Sequence, residues 1–128
     1  MKILVCGQRD YTNQAKILNV LQKYPKDTII IHGAANGADT LAGGAADFLG
    51  FKVLSFPAHW KHTDKCKPEC NEYVGKGAGP IRNKKMLDEG KPDLIIAFYN
   101  DKSLSIGTNN MVSQAIKAGI EVLEYIEN

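Results

Sequence analysis

Cysteine is scarce, with Cys6, Cys66 and Cys70 making an odd set of three, which argues against a disulfide framework and for reduced thiols. Cys6, inside the first apolar run, reads as a small buried hydrophobe. Charge of one sign is scarce as well. Sixteen Lys plus Arg against fourteen Asp plus Glu leave a net +2, far from the basic excess that marks most nucleic-acid binders. Long apolar runs are missing: nothing approaches the roughly eighteen residues that span a bilayer. The opening MKILVCGQRD loses its apolar character at Gly7, short of a signal h-region. No membrane contact is expected, and the cytoplasm is the expected compartment. Internal repeats and low-complexity tracts are also absent.

What is there is the composition of a soluble globular protein, 128 residues with 44% hydrophobic and 23% charged, which suits one domain over residues 1–128. Five short apolar runs recur: KILVC at 2–6, TIIIH at 28–32, KVLSF at 52–56, DLIIAF at 93–98 and EVLEYI at 121–126. The first four read as strands buried on both faces, as a covered parallel sheet requires, and the alternating fifth reads as an edge. Helical spacing fills the gaps. Asn13 to Tyr24 places Ile17, Leu18, Leu21 and Tyr24 on one face, with Thr12 as N-cap and Pro25 as stop. Asp39 to Leu49 aligns Leu41, Ala42, Ala45, Phe48 and Leu49, with Gly50 closing it in the left-handed conformation. Its interior Gly43 and Gly44 each cost about 1 kcal/mol relative to Ala, which close approach to the sheet would offset. A third helix is predicted from Pro80 to Gly90. The fourth, from about Thr108 to Ala118, turns Met111, Val112, Ala115 and Ile116 inward and ends at Gly119.

Strands and helices in strict alternation predict an α/β fold, a single-domain Rossmann-like doubly wound parallel sheet of five strands in the order 3-2-1-4-5 with four helices. One irregular, lid-like insertion interrupts it at about 59–79. Ligands in such sheets bind beyond the carboxyl ends of the strands, where the strand order reverses, here between strands 1 and 4. Four glycine-bearing segments converge there: CGQRD, HGAANGAD, GAGPIRN and NDKSLSIGTNN. They supply the candidate ligand-binding residues Gly7, Arg9, Asp10, Gly33, Ala34, Asn36, Gly37, Asp39, Arg82, Asn83, Gly107, Thr108 and Asn109. Free amides at helix starts suit anions such as phosphate. The glycines do not spell GxGxxG, since Arg9 stands at its second glycine and no acidic residue ends strand 2, and there is no GxxxxGK[ST]. Dinucleotide redox chemistry and Walker-type NTP hydrolysis are disfavoured, and no cofactor is assigned.

Together, GQRDYTN, HGAANGADTLAGGAA, FPAHW, GAGPIRNKKM and SIGTNNM resemble the YspA/YpsA-like SLOG family. This is a Rossmann-like group related to the Lonely Guy phosphoribohydrolases and to the DNA-processing protein A core. The resemblance implies a nucleotide-derived ligand in the pocket just located. It also implies that Arg82 stands where the Lonely Guy enzymes carry an arginine. Their GGxGTxxE stretch, whose glutamate is the acid for N-glycosidic cleavage, is matched by Ser105 to Met111. Met111 stands in place of the glutamate and cannot move a proton. Asp10 and Asp39 are the carboxylates at the pocket rim, and no spacing places either as a substitute.

Arg9 and Arg82 suit bidentate phosphate contact, against the alternative of surface salt bridges. Asp10 and Asp39 either meet ribose hydroxyls or cap their helices. Gly107, Thr108 and Asn109 read as a phosphate cradle or as a plain helix start. His32 reads as a pocket-floor histidine. His59, His62, Cys66 and Cys70 form H-x2-H-x3-C-x3-C, which can hold zinc; the spacing lacks a Cys-x2-Cys pair, so no metal is assigned and a lid carrying Trp60 as packing anchor stands beside it. The expected function is binding of a phosphorylated nucleotide or nucleotide-sugar, of AMP, ADP-ribose or cyclic-nucleotide type, by a sensor or sequestering module. The alternatives are an N-glycosidase or phosphoribohydrolase and, against the charge balance, single-stranded nucleic-acid binding. Exposed helix faces leave room for a homo-oligomer.

Overall fold

The computed structural model describes residues 1–33, 37–56, 78–101 and 105–127. Within them strands and helices alternate: β1 (Lys2–Gly7), α1 (Gln14–Leu21), β2 (Ile29–His32), α2 (Ala38–Leu49), β3 (Lys52–Ser55), α3 (Ala78–Lys85), β4 (Leu94–Tyr99), α4 (Ile106–Lys117) and β5 (Glu121–Ile126). After Lys85, α3 runs on as a π-helical stretch, Met86–Gly90. The strands form one parallel sheet in the order β3-β2-β1-β4-β5. This is the doubly wound Rossmann-like topology that the alternation predicts. The lid-like insertion falls almost wholly on residues 57–77, outside the described residues.

Period-two alternation along the central strands builds two cores. Ile3 and Val5 of β1, Ile30 of β2 and Ile96 and Phe98 of β4 face α1 and α2. Leu4 and Cys6, Ile31, and Ile95, Ala97 and Tyr99 face α3 and α4. Cys6 is thus buried, as its place in the run implies. The first core closes against small side chains, Ala38, Ala42, Ala45 and Ala46 of α2, which lets that helix lie close. Gly43 serves this contact: a Cβ there would stand 3.1 Å from the His32 imidazole, so the sheet approaches the helix at that turn. Gly44 faces Gln14 of α1 instead. Its absent side chain serves helix–helix contact and not, as expected, contact with the sheet.

Several boundaries and faces differ from the sequence reading. Asn13, not Thr12, caps α1, its Oδ1 accepting the Lys16 N–H at 3.1 Å, and the regular helix ends at Leu21, before Tyr24. Helix α3 starts at Ala78, ahead of Pro80. Phe48 on α2 is 82% exposed and Ile116 on α4 is 63% exposed, although helical spacing assigned both inward. Each lies at the border of its helix's apolar arc, where a shift of one residue decides which side faces the sheet. Strand β3 is not a run buried on both faces: with only β2 beside it, Leu54 is 41% exposed. Gly50 and Gly119 follow α2 and α4 with φ of 83° and 77°, as the closing glycines should.

Candidate functional site

The chains of β1 and β4 run side by side to the pair Gly7 and Phe98 and then diverge. Gln8 sits in the fork. Its Oε1 accepts the backbone N–H of Asn100 at 2.9 Å and of Asp101 at 2.8 Å. Its own carbonyl accepts from Tyr11 at 3.1 Å and from Ala38 at 3.3 Å. One buried glutamine therefore ties together the loop after β1, the loop after β4 and the start of α2. The fit is close on the α2 side. A Cβ on Gly7 would overlap Ala38 and the Phe98 carbonyl, and a Cβ on Gly37 would overlap the carbonyl oxygens of Gln8 and Arg9. Gly37 also holds φ of 78°, open to glycine and strained for other residues.

On the far side of this fork stands Asp39, 5% exposed, in the first turn of α2. Its Oδ2 accepts the Gly33 N–H at 2.9 Å. Arg82 of α3 reaches over to the same loop: Nη1 donates to the Gly33 carbonyl and, at 3.5 Å, to that of Phe56, while Nε donates to Asn83 Oδ1 at 2.9 Å. Arg82 is thus no exposed salt bridge but a strut from α3 to the ends of β2 and β3. Burial draws its pKa down; the Asp39 charge opposes that shift and the Arg9 charge adds to it. Burial, with the Asp39 charge adding and the Arg82 charge opposing, pushes the Cys6 thiol well above its ordinary range. Cys6 is therefore protonated near neutral pH and is not an activated nucleophile.

These elements enclose a cavity of about 630 Å³, within the range of small-molecule sites. Among the described residues its walls are Cys6 to Asp10 at the end of β1 and just beyond it, Asp39 of α2, Pro80, Arg82, Asn83 and Met86 of the α3 segment, and Ser105 before α4 with Ile106, Gly107, Thr108, Asn110 and Met111 of that helix. Of the residues proposed from sequence, Gly7, Arg9, Asp10, Asp39, Arg82, Asn83, Gly107 and Thr108 therefore meet on one surface. Gly33 and Gly37 stand behind it, holding Arg82, Asp39 and the β1 loop in place. Asn109 is not on the wall, and Ala34 and Asn36 lie outside the described residues, as do Trp60 and the set His59, His62, Cys66 and Cys70. Among the described residues no group of His, Cys, Asp or Glu is placed to hold a metal ion. His32 is not on the pocket floor: it faces α2 across Gly43, and burial first, then the Arg82 charge, lower its pKa against an opposing Asp47 charge.

The charged residues of the described wall are Arg9 and Arg82 against Asp10 and Asp39, so the cavity offers both cations for an oxyanion and carboxylates for hydroxyl groups. At α4 the first intrahelical bond runs from the Asn109 N–H to the Ser105 carbonyl at 2.9 Å. The amides of Ile106, Gly107 and Thr108 precede it, in the opening turn, where a helix supplies no intrahelical acceptor. Met111 is 1% exposed and packed in the core under α4 while touching the cavity. The wall position that faces the cavity there is a thioether. Sequence reasoning missed Gln8 and Asn110. Gln8 lay within a quoted motif, between two residues of more obvious chemistry; Asn110 is three residues, about one helical turn, beyond Gly107, a spacing that places the two on one face of α4.

Residues 1–62 match the YspA, cpYpsA-related SLOG family. The resemblance carried by the motifs is upheld, and the SLOG match takes in β1, α1, β2, α2 and β3, the half that contributes Gln8, Arg9, Asp10 and Asp39. Gene 61 protein of Mycobacterium phage D29 is 29% identical over 133 residues, covering 97% of this chain and 95% of that protein. The X-ray structure of DNA processing protein A (DprA) from Streptococcus pneumoniae is similar over 96% of this chain, with a TM-score of 0.75 and 21% identity. This chain spans about half of that one, 49%. The likeness to DprA is one of fold. Among the described residues no helix is long and apolar enough to cross a membrane.

Proposed function

We propose that the cavity binds a phosphorylated nucleotide or nucleotide-sugar, of AMP, ADP-ribose or cyclic-nucleotide type, and that the protein senses or sequesters this ligand without cleaving it. The SLOG match and the DprA-like fold go with a nucleotide-related or DNA-processing role. The observation that carries the finer reading is the wall itself. A cavity of about 630 Å³ at the switch point brings Arg9, Arg82 and the opening turn of α4 together with the carboxylates of Asp10 and Asp39, and it has Met111 where the resemblance to the Lonely Guy enzymes implies a glutamate. Asp39 does not replace that acid. Its carboxylate is held by the Gly33 N–H in the first turn of α2, on a different element from Met111.

The experiment is a thermal-shift and calorimetric screen of the full chain against AMP, ADP-ribose, NAD and cyclic nucleotides, with chromatography of each incubation. A shift with unchanged ligand supports the reading. Release of ribose 5-phosphate or free base establishes the N-glycosidase alternative instead. No binding of any nucleotide, together with retention of a labelled single-stranded oligonucleotide in an anisotropy assay, would favour the DNA-processing reading. Homo-oligomerisation through the outer faces of α3 and α4, where Ile81 and Ile116 are exposed, is part of the same proposal; sedimentation velocity tests it, and a monomer at all concentrations refutes it.

A further inference from the structure

Arg82 begins a chain of side-chain contacts whose direction is set by chemistry. A guanidinium only donates. Asn83 therefore turns Oδ1 to Arg82 Nε, 2.9 Å away, and Nδ2 to the Gly107 carbonyl at 3.2 Å and to Asn110 at 3.1 Å. Gln114 is held from the other side. Its Nε2 donates to the Pro80 carbonyl at 3.2 Å, which can only accept, and to Asn110 at 2.8 Å. Both neighbours thus present N–H groups to Asn110, and the atom they share is its Oδ1. That oxygen has two lone pairs and both are used. The reversed amide would set an NH2 group against two donors and leave all of them unmatched. Asn110 Nδ2 accordingly faces away from Asn83 and Gln114, and among the described residues it has no hydrogen-bond acceptor. Asn110 itself lines the cavity.

We infer that Asn110 is a specificity-determining residue, presenting its NH2 group as a neutral donor to a phosphoryl oxygen of the bound nucleotide. This rests on the nucleotide reading above. The phosphoryl end belongs here because Asn110 lies in the opening turns of α4, whose Ile106, Gly107 and Thr108 line the cavity with it, and Arg82 of α3 lines the same cavity. An amide locked by two oriented donors, Asn83 and Gln114, discriminates by geometry: it does not turn its oxygen to the cavity to accept a ligand donor.

The test compares AMP with adenosine by calorimetry on the full chain and on Asn110→Asp. That change keeps an oxygen for Asn83 and Gln114 and replaces the NH2 by a second carboxylate oxygen of the same shape. AMP affinity should fall by about tenfold or more while adenosine affinity changes by less than about twofold. Equal losses for both ligands mark a structural role and overturn the inference, as does an unaltered AMP affinity. Should the variant fail to fold, the wild-type NH2 resonances of Asn110, assigned through its own backbone, decide: AMP must shift them and adenosine must not, and resonances unmoved by saturating AMP refute the inference. Absence of AMP binding by the wild type also ends it, while the ligand screen decides the broader nucleotide reading separately.

Discussion

Replacing Gly37 by alanine isolates the contact that seats α2 on the loop after β1. Three glycines hold φ near 80°: Gly37 at 78°, Gly50 at 83° and Gly119 at 77°. An alanine at the left-handed Gly50 costs about 1–2 kcal/mol, and at Gly37, whose ψ of −128° lies outside the left-handed helical region, the backbone cost is at least as large. At Gly50 and Gly119 the backbone cost is the whole effect, since among the described residues no atom lies within 4 Å of a Cβ built there. At Gly37 the methyl group would also overlap the Gln8 and Arg9 carbonyls, and backbone cannot swing aside as a flexible side chain can; such overpacking adds about 1–3 kcal/mol. For a chain of 128 residues, 1 kcal/mol corresponds to about 4 °C in Tm. Gly50→Ala and Gly119→Ala should therefore lower Tm by about 4–8 °C, and Gly37→Ala by about 8–20 °C. Differential scanning calorimetry of the three variants reads this directly. A Gly37→Ala protein that melts with the two controls would refute the claim that the β1 loop and α2 are locked together through this position.

Asp39→Ala should lower stability by about 1–3 kcal/mol, because it leaves the buried Gly33 N–H without its acceptor. Asp39→Asn should lose less, since an amide oxygen can still accept; urea unfolding of both tests the order. The lowered His32 pKa means that protonation favours the unfolded chain. Its contribution is complete above the ordinary histidine value of 6.5 and is lost as pH falls from there through the depressed folded value; His32→Gln should flatten the urea midpoint between about pH 7 and pH 5, and an unchanged slope would count against the burial argument. The raised Cys6 pKa predicts that iodoacetamide at about pH 8 labels it at least about tenfold more slowly in the native chain than in urea. Peptide mass mapping gives the rate, and equal labelling would contradict the placement of this thiol.

Much of the fold was legible because it follows from local patterns. Apolar runs of four to six residues separated by helical spacing are enough for an alternating α/β chain, and the glycines after α2 and α4 mark where left-handed closing residues are needed. The switch-point rule places the cavity from strand order alone, and eight of the thirteen proposed site residues stand on its described wall. The failures have one cause. Phe48 and Ile116 sit at the margins of their apolar arcs, and β3 has an ordinary apolar run, yet what each buries depends on which neighbours stand beside it. Thr12 and Asn13 are both good caps, and the choice between them turns on where the chain leaves β1.

The sequence by itself determined the strand and helix order, the parallel sheet and the loops that meet at its switch point, since hydrophobic periodicity and turn chemistry act within a few residues. It also set Met111 at the position where the resemblance to the Lonely Guy enzymes implies a glutamate. Tertiary structure alone decided the roles of individual polar groups. Arg82 became a strut to the Gly33 and Phe56 carbonyls, His32 turned under α2, and Asn110 acquired an orientation, because each outcome depends on atoms brought together from distant parts of the chain. Hydrogen bonds are satisfied between whichever groups packing places within about 3 Å of one another, and that is settled by how helices lie on the sheet.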